Sequence, residues 1–132
     1  NESDIFGFVR PVDVMGRISD SAQHLTAAWP DMEFYDRASE SEHSGALLEV
    51  YIAHLGRAQP GDSYMICSGL RSANTHTRQL VHWILDPVSG KPWAAAIGVA
   101  CRFNLKTRRL VKADDKTLKL LQSKICAGLN TA

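Results

Sequence analysis

The sequence predicts an α+β domain in which a curved antiparallel sheet wraps a central helix. Two observations on period carry this reading. From residue 11 to about 28, apolar residues recur every three or four positions, whereas from about residue 46 to 103 they alternate. A third observation is the row of small residues Ala94, Ala96, Gly98 and Ala100, interleaved with Trp93, Ile97, Val99 and Phe103. Small residues along one face of a strand mean that something bulky packs closely there, and the helix is the obvious occupant.

The elements follow in order. Pro11 to about Ala28 reads as the helix, with Val14, Ile18, Ala22 and Leu25 on one stripe. Pro11 suits a first turn, where a missing N–H costs little, and Trp29-Pro30 stops the run. Asp13, Arg17, Asp20 and His24 occupy the other face, as a solvated face laced with i,i+4 pairs or as carriers of chemistry. Asp31 to Ser44 is polar and irregular and reads as a surface loop. Four meandering strands are expected over Ala46–Ala58, Ser63–Ser72, Thr77–Leu85 and Pro92–Phe103. Pro60-Gly61-Asp62 and the segment from Asp86 to Lys91 are the turn signals between them. Asp114 or Asp115 then caps a last helix, whose stripe is Leu118, Leu121, Ile125 and Leu129.

A chain of 132 residues holds one domain with one real core. The net charge of +1 and the lack of aromatic-basic interleaving speak against a nucleic-acid partner. Nothing approaches the ~18 apolar residues of a membrane span. Cys67, Cys101 and Cys126 are an odd number without close pairs, which argues against a disulfide framework or a zinc site. Two of them sit in apolar strand patterns, so buried thiols in a reducing, cytoplasmic compartment are expected. The five histidines form no metal-binding spacing, so no metal is expected.

The segment Asp4-Ile5-Phe6-Gly7-Phe8-Val9-Arg10-Pro11 sets a carboxylate and a glycine turn just before the helix. Backbone N–H groups and the positive dipole end there favour developing negative charge. A plain helix lead-in with turn residues is the alternative reading of the same residues.

This order of elements resembles the hotdog fold. In detail it is similar to acyl-CoA thioesterases of the 4-hydroxybenzoyl-CoA thioesterase type, near relatives that include betainyl-CoA thioesterases. The family's loop motif, Asp-x-x-Gly-(His or aliphatic)-(Val or Met), stands here as Asp4 to Val9. Arg17 to Asp20, Glu49 and Tyr51, Gly61-Asp62, His82 to Asp86, Gly90 and Ala94 to Ala96 resemble further family segments, so the likeness runs from Asp4 to about Lys112. The resemblance implies a single hotdog domain over residues 1–132, with a first strand upstream of Asn1.

The resemblance also implies hydrolysis of an acyl-CoA thioester to free acid and coenzyme A, in a homodimer or tetramer whose site is shared between subunits. Coenzyme A is then part of the substrate, and no separate cofactor is expected. Asp4 is the implied nucleophile or base, and Gly7 permits the tight turn. Phe8 stands where many relatives have histidine. Pro11 lacks the N–H expected to hold the oxyanion, so Val12 or Asp13 would donate instead. Asp13, Asp20 or Glu49 is the alternative carboxylate. Arg102, Lys106, Arg108 and Arg109 could meet coenzyme A phosphates. Trp83, Trp93 and Phe103 serve as core or pocket lining. The rival readings are a hotdog acyl-CoA-binding or scaffold module without catalysis and, behind it, a hotdog dehydratase.

Overall fold

The structure, a computed structural model, describes residues 8, 10, 12–19, 43–59 and 61–129. Helix α1 covers residues 12–19. Then come β1 (His43–His54), β2 (Met65–Ala73), β3 (Thr77–Leu85), β4 (Pro92–Asn104), β5 (Arg109–Leu110) and helix α2 (Asp115–Ser123). All pairings between these strands are antiparallel, and the spatial order is β1-β4-β3-β2 with β5 beside β4.

The expected alternation is present and β3 has the predicted bounds, but the topology differs from a simple meander. β1 pairs with β4, not with β2, so the link from Leu55 to Tyr64 crosses the end of the sheet. The fifth strand was not foreseen. Phe103 and Asn104 already pair with Ser44 and His43 on one side, so Leu110 and Arg109 take the other side, where β3 has run out at Thr77. The Ala113 N–H then reaches the Thr75 carbonyl, 2.7 Å away.

An Asn or Asp starts each hairpin turn. The Asn74 side-chain oxygen accepts from the N–H groups of His76 and Thr77, that of Asp86 from Val88 and Ser89, and that of Asn104 from Lys106 and Thr107. Such Asx turns satisfy backbone donors where the ladder stops. Asp114 does the same for α2, accepting from the Thr117 N–H at 2.7 Å.

α1 packs by the predicted stripe. Ile18 is 4% exposed and meets Ile84, Ala94 and Ala96, with Val14, Ile52, Ile66 and Trp93 at the margin. The alanines on β4 are therefore where the helix approaches. The third small position has a different use: a Cβ on Gly98 would stand 3.0 Å from Cδ1 of Leu47, so a side chain of β1 fills that space.

α2 ends earlier than its apolar stripe suggested. Ile125 and Leu129 lie beyond Ser123, and the chain leaves the helix to pair with β2. Ile125 bridges Leu70 in parallel, and the Cys126 N–H donates to the Leu70 carbonyl at 2.9 Å. Leu129 lies against Gly69, where a Cβ would be 2.9 Å from its Cδ1. A tertiary edge contact thus outweighs continuation of the helix. The cysteines differ from expectation too: Cys101 is buried, whereas Cys67 and Cys126 are exposed, and all three are free thiols.

Truncating Ile18 tests the seat of α1. Ile18→Ala should lower the unfolding free energy by about 2–4 kcal/mol, the usual loss for a buried branched side chain. Urea unfolding followed by circular dichroism measures it, and a change below about 1 kcal/mol would show that α1 is not anchored at this point.

Candidate active site

Strand alternation assigns each residue to a face of the sheet. Ile18 of α1 meets Ile84, Ala94 and Ala96, so these and their register partners Ile66 and Ile52 face the helix. His82 is two residues from Ile84 and pairs with Ser68 and Ala96, which places it on the same face. One step further on, Leu80, Leu70 and Leu121 form a second apolar cluster under α2. The Ser68–His82 row therefore continues the row of Ala96 and Ile52 in the α1 cluster and adjoins the Leu70–Leu80 row under α2.

Ser68 Oγ and His82 Nδ1 are 2.6 Å apart. His82 is 3% exposed, and it is the buried polar residue of the described core. Burial holds its imidazole below the ordinary value of 6.5, in the neutral form. Sequence reading took His82 only as part of a hairpin likeness and missed the pairing. The one available signal was a histidine amid the apolar run of β3, and its partner lies on another strand.

The turn that opens α1 has its own polar arrangement. The Arg10 carbonyl accepts from the N–H groups of Asp13 (3.0 Å) and Val14 (3.2 Å). The guanidinium of Arg10 donates back to both Asp13 oxygens, Nε to Oδ2 at 2.7 Å and Nη2 to Oδ1 at 3.1 Å. That bidentate contact lowers the Asp13 pKa. Asp13 is thus engaged through its carboxylate and its N–H, which leaves Val12 as the backbone donor at this turn. Around it, the Arg57 guanidinium lies 5.2 Å from the Phe8 ring centroid and that of Arg17 6.0 Å from the Tyr64 ring. Asp4, Gly7 and Asp20 lie outside the described residues.

The other expected site residues are not brought to this turn. Glu49 pairs with Val99 and is out of phase with Ile52, so it is on the face away from α1, and it is exposed. Trp83 likewise alternates away from the helix face, while Trp93 packs at the margin of the α1 cluster. Arg102, Lys106, Arg108 and Arg109 belong to the end of β4 and its hairpin with β5. The start of α1 is tied to the opposite end of β4, since Phe8 meets Arg57 and the N–H groups of Leu55 and Gly56 donate to the Trp93 carbonyl. Eleven residue-to-residue steps along the strand separate Trp93 from Asn104, roughly 35 Å at ~3.3 Å per residue. Within one chain the basic hairpin and the helix start are far apart. Arg108 also has a backbone task there, with φ of 58° in the left-handed region where glycine is favoured. Among the described residues no group of three His, Cys, Asp or Glu side chains could hold a metal ion, and no helix is long and apolar enough to cross a membrane.

The backbone arrangement has many parallels among solved structures. YbaW, a probable thioesterase from Escherichia coli, is 16% identical and superposes with a TM-score of 0.74 over 95% of this chain and 92% of its own. Slr0204, a 1,4-dihydroxy-2-naphthoyl-CoA thioesterase from Synechocystis, is also 16% identical, with a TM-score of 0.73 over 96% of this chain and 89% of its own. The protein SAV2348 from Staphylococcus aureus, solved in complex with CoA, is 12% identical, with a TM-score of 0.79 over 96% and 80% of the two chains. The chain has the hotdog fold. No protein-family model matches the sequence, and a search of curated proteins finds no match. At this identity the hotdog likeness concerns the backbone.

The buried histidine predicts a pH dependence of stability. In the unfolded chain the His82 ring takes up a proton as pH falls through 6.5, and in the fold it does so only at lower pH. Over that window the unfolded chain binds more protons, so this contribution is complete above pH 6.5 and is lost as pH falls. Urea midpoints measured between pH 7.5 and 5 should fall, and His82→Leu should flatten the trend. An equal fall in the variant would assign the effect to other groups.

Proposed function

We propose that this hotdog domain is an acyl-CoA thioesterase, hydrolysing a thioester to a free acid and coenzyme A. The observation that supports it most is the likeness over nearly the whole chain to YbaW, to Slr0204 and to the CoA-bound SAV2348. In this reading Asp4 attacks the thioester carbonyl or draws a proton from the water that does. Gly7 lets the loop turn, and the Val12 N–H at the start of α1 takes the negative charge of the tetrahedral oxygen. The finer likeness, to the 4-hydroxybenzoyl-CoA type and its betainyl-CoA relatives, and a cytoplasmic setting belong to the same proposal.

A homodimer completes the reading. Among the described residues β1 is paired on one side only, and Leu47, Leu48, Val50 and Tyr51 on it are exposed. A twelve-residue edge strand with exposed large apolar groups needs a cover, and antiparallel pairing of two such edges about a twofold axis provides one. A second chain is also what could bring a basic hairpin (Arg102, Lys106, Arg108, Arg109) near another chain's helix start. The alternative is an acyl-CoA-binding module without turnover, favoured by the engagement of Asp13 with Arg10, which removes one carboxylate and one N–H from the chemistry.

Three measurements test this. Thiol release from a panel of acyl-CoAs should show turnover, and Asp4→Asn should lower kcat by at least ~100-fold, a loss fitting removal of a catalytic group. Asp13→Asn should change kcat far less. Binding of an acyl-CoA without any thiol release would establish the module reading instead. For assembly, Leu48→Lys with Tyr51→Lys should convert a dimer into monomer in light scattering, and a monomeric wild type would refute the shared site. Arg108→Ala with Arg109→Ala should raise KM for acyl-CoA more than it lowers kcat, because phosphate contacts bind ground and transition states alike. An unchanged KM would leave the hairpin a purely structural role.

A further inference from the structure

We propose that the β4–β5 hairpin docks this protein on an anionic lipid surface. Leu105 enters the bilayer interface, and Lys106, Arg108 and Arg109 rest among the lipid phosphates. The proposal goes beyond thioester hydrolysis and does not depend on it. β3 begins at Thr77, opposite Cys101, and β4 runs on past that point to Asn104 between the start of β1 and β5. The turn of four residues from Leu105 to Arg108 lies past the last pair of both ladders, so its tip projects from the end of the sheet. Leu105 is 51% exposed at that tip, and Leu110 is 38% exposed at its base. Lys106, Arg108 and Arg109 between them are exposed too. No acidic residue occurs between Asp86 and Asp114. Among the described residues no carboxylate pairs with Arg108 or Arg109.

The backbone of Arg108 is a second observation. At φ of 58° glycine is the residue without strain, as Gly90 is in the β3–β4 turn with φ of 70°. An arginine there costs the fold stability, so the cation is kept against the preference of the backbone. The β3–β4 turn is a contrast within the same molecule. Its Val88 is 95% exposed, yet the charged residues beside it, Asp86 and Lys91, are one of each sign. Shape decides among anionic partners. A stable protein interface takes about 20–30 residues a side, and a short projecting turn offers no such area. Its apolar apex would also need a matching pocket in a protein. A bilayer offers an apolar interior below a layer of phosphates to any convex tip, and long cationic side chains reach that layer while a leucine sits deeper. Nucleic acid carries phosphates as well, but the segment from Asn104 to Leu110 has no aromatic ring to stack on a base.

Co-sedimentation with lipid vesicles tests this on the whole chain with no thioester present. Wild type should bind mixed phosphatidylcholine–phosphatidylserine vesicles at least ~10-fold more tightly than phosphatidylcholine alone, since each cation at the surface adds a factor of about five. That preference should vanish at about 1 M salt, where screening shortens to ~3 Å. Leu105→Ser should weaken binding ~10-fold, as expected when one leucine is kept out of an apolar phase. Arg108→Gly should weaken it about fivefold while raising the urea midpoint of unfolding, because glycine removes the strain. Val88→Ser is the control and should bind as wild type does. Equal binding to both kinds of vesicle, or binding to neither, overturns the proposal. So does full binding by Leu105→Ser, which would leave only the general attraction of a cationic patch. Poly-glutamate bound as tightly as the anionic vesicles, with or without Leu105, would assign the hairpin to an acidic protein instead. Thiol release from acyl-CoA is a separate measurement, so a failure of docking and a failure of the thioesterase reading are told apart.

Discussion

The close approach of α1 to the sheet over Ala94 and Ala96 is the contact on which the rest of this structure depends. A helix can sit near a strand only where the strand offers little more than a methyl group. Those alanines lie on β4, the strand flanked by β1 on one side and β3 on the other. Ile18 therefore touches the middle of the sheet, and the branched residues of the flanking strands close around it. A larger residue at Ala94 or Ala96 would lift the helix and with it the turn at Arg10, Val12 and Asp13.

Seating α1 at one end of the strands sets the character of the remaining surface. α2 covers the other end of the same face through Leu121, and the chain after it binds the outer edge of β2. The row of Ala96 on this face also carries a serine and a histidine. Such a pair is tolerated because the two side chains answer one another, and because the low dielectric keeps the imidazole neutral. The charged groups are distributed otherwise. Arg57 and Arg17 lie against aromatic rings near α1, whereas the basic hairpin stands at the far end of β4. One chain thus holds its two positive regions apart.

Local chemistry accounts for the turns. Asn74, Asp86 and Asn104 each supply a side-chain oxygen to the first donors of their turns, and Asp114 does so for α2. Glycine serves where the backbone must turn left-handed, as at Gly90 with φ of 70°. Arg108 adopts the same region without that freedom, and its position in the β4–β5 hairpin explains why: the Asn104 carbonyl accepts its N–H at 2.9 Å, and Asn104 pairs with Arg109 across the ladder.

By itself the sequence determined the alternation of the strands, the bounds of β3, the stripe of α1 through Val14 and Ile18, the cap of α2 to within Asp114 or Asp115, and the closeness of the helix to the small residues of β4. All of these follow from period, side-chain size or turn chemistry within a few residues. What only the tertiary structure decided is which elements lie side by side. Alternation fixes that Glu49 and Ile52 face opposite ways, and α1 then decides which of those faces is inside. Nothing local says that β1 joins β4 rather than β2, that two residues after the Asn104 turn extend the sheet, or that α2 stops at Ser123 so that Cys126 can reach Leu70. The Ser68–His82 pair belongs to the same class, because its two members are fourteen residues apart and meet only through the register of β2 on β3. Short-range periodicity records the face a side chain takes, whereas the neighbour on that face is set by strand register and by what packs above it.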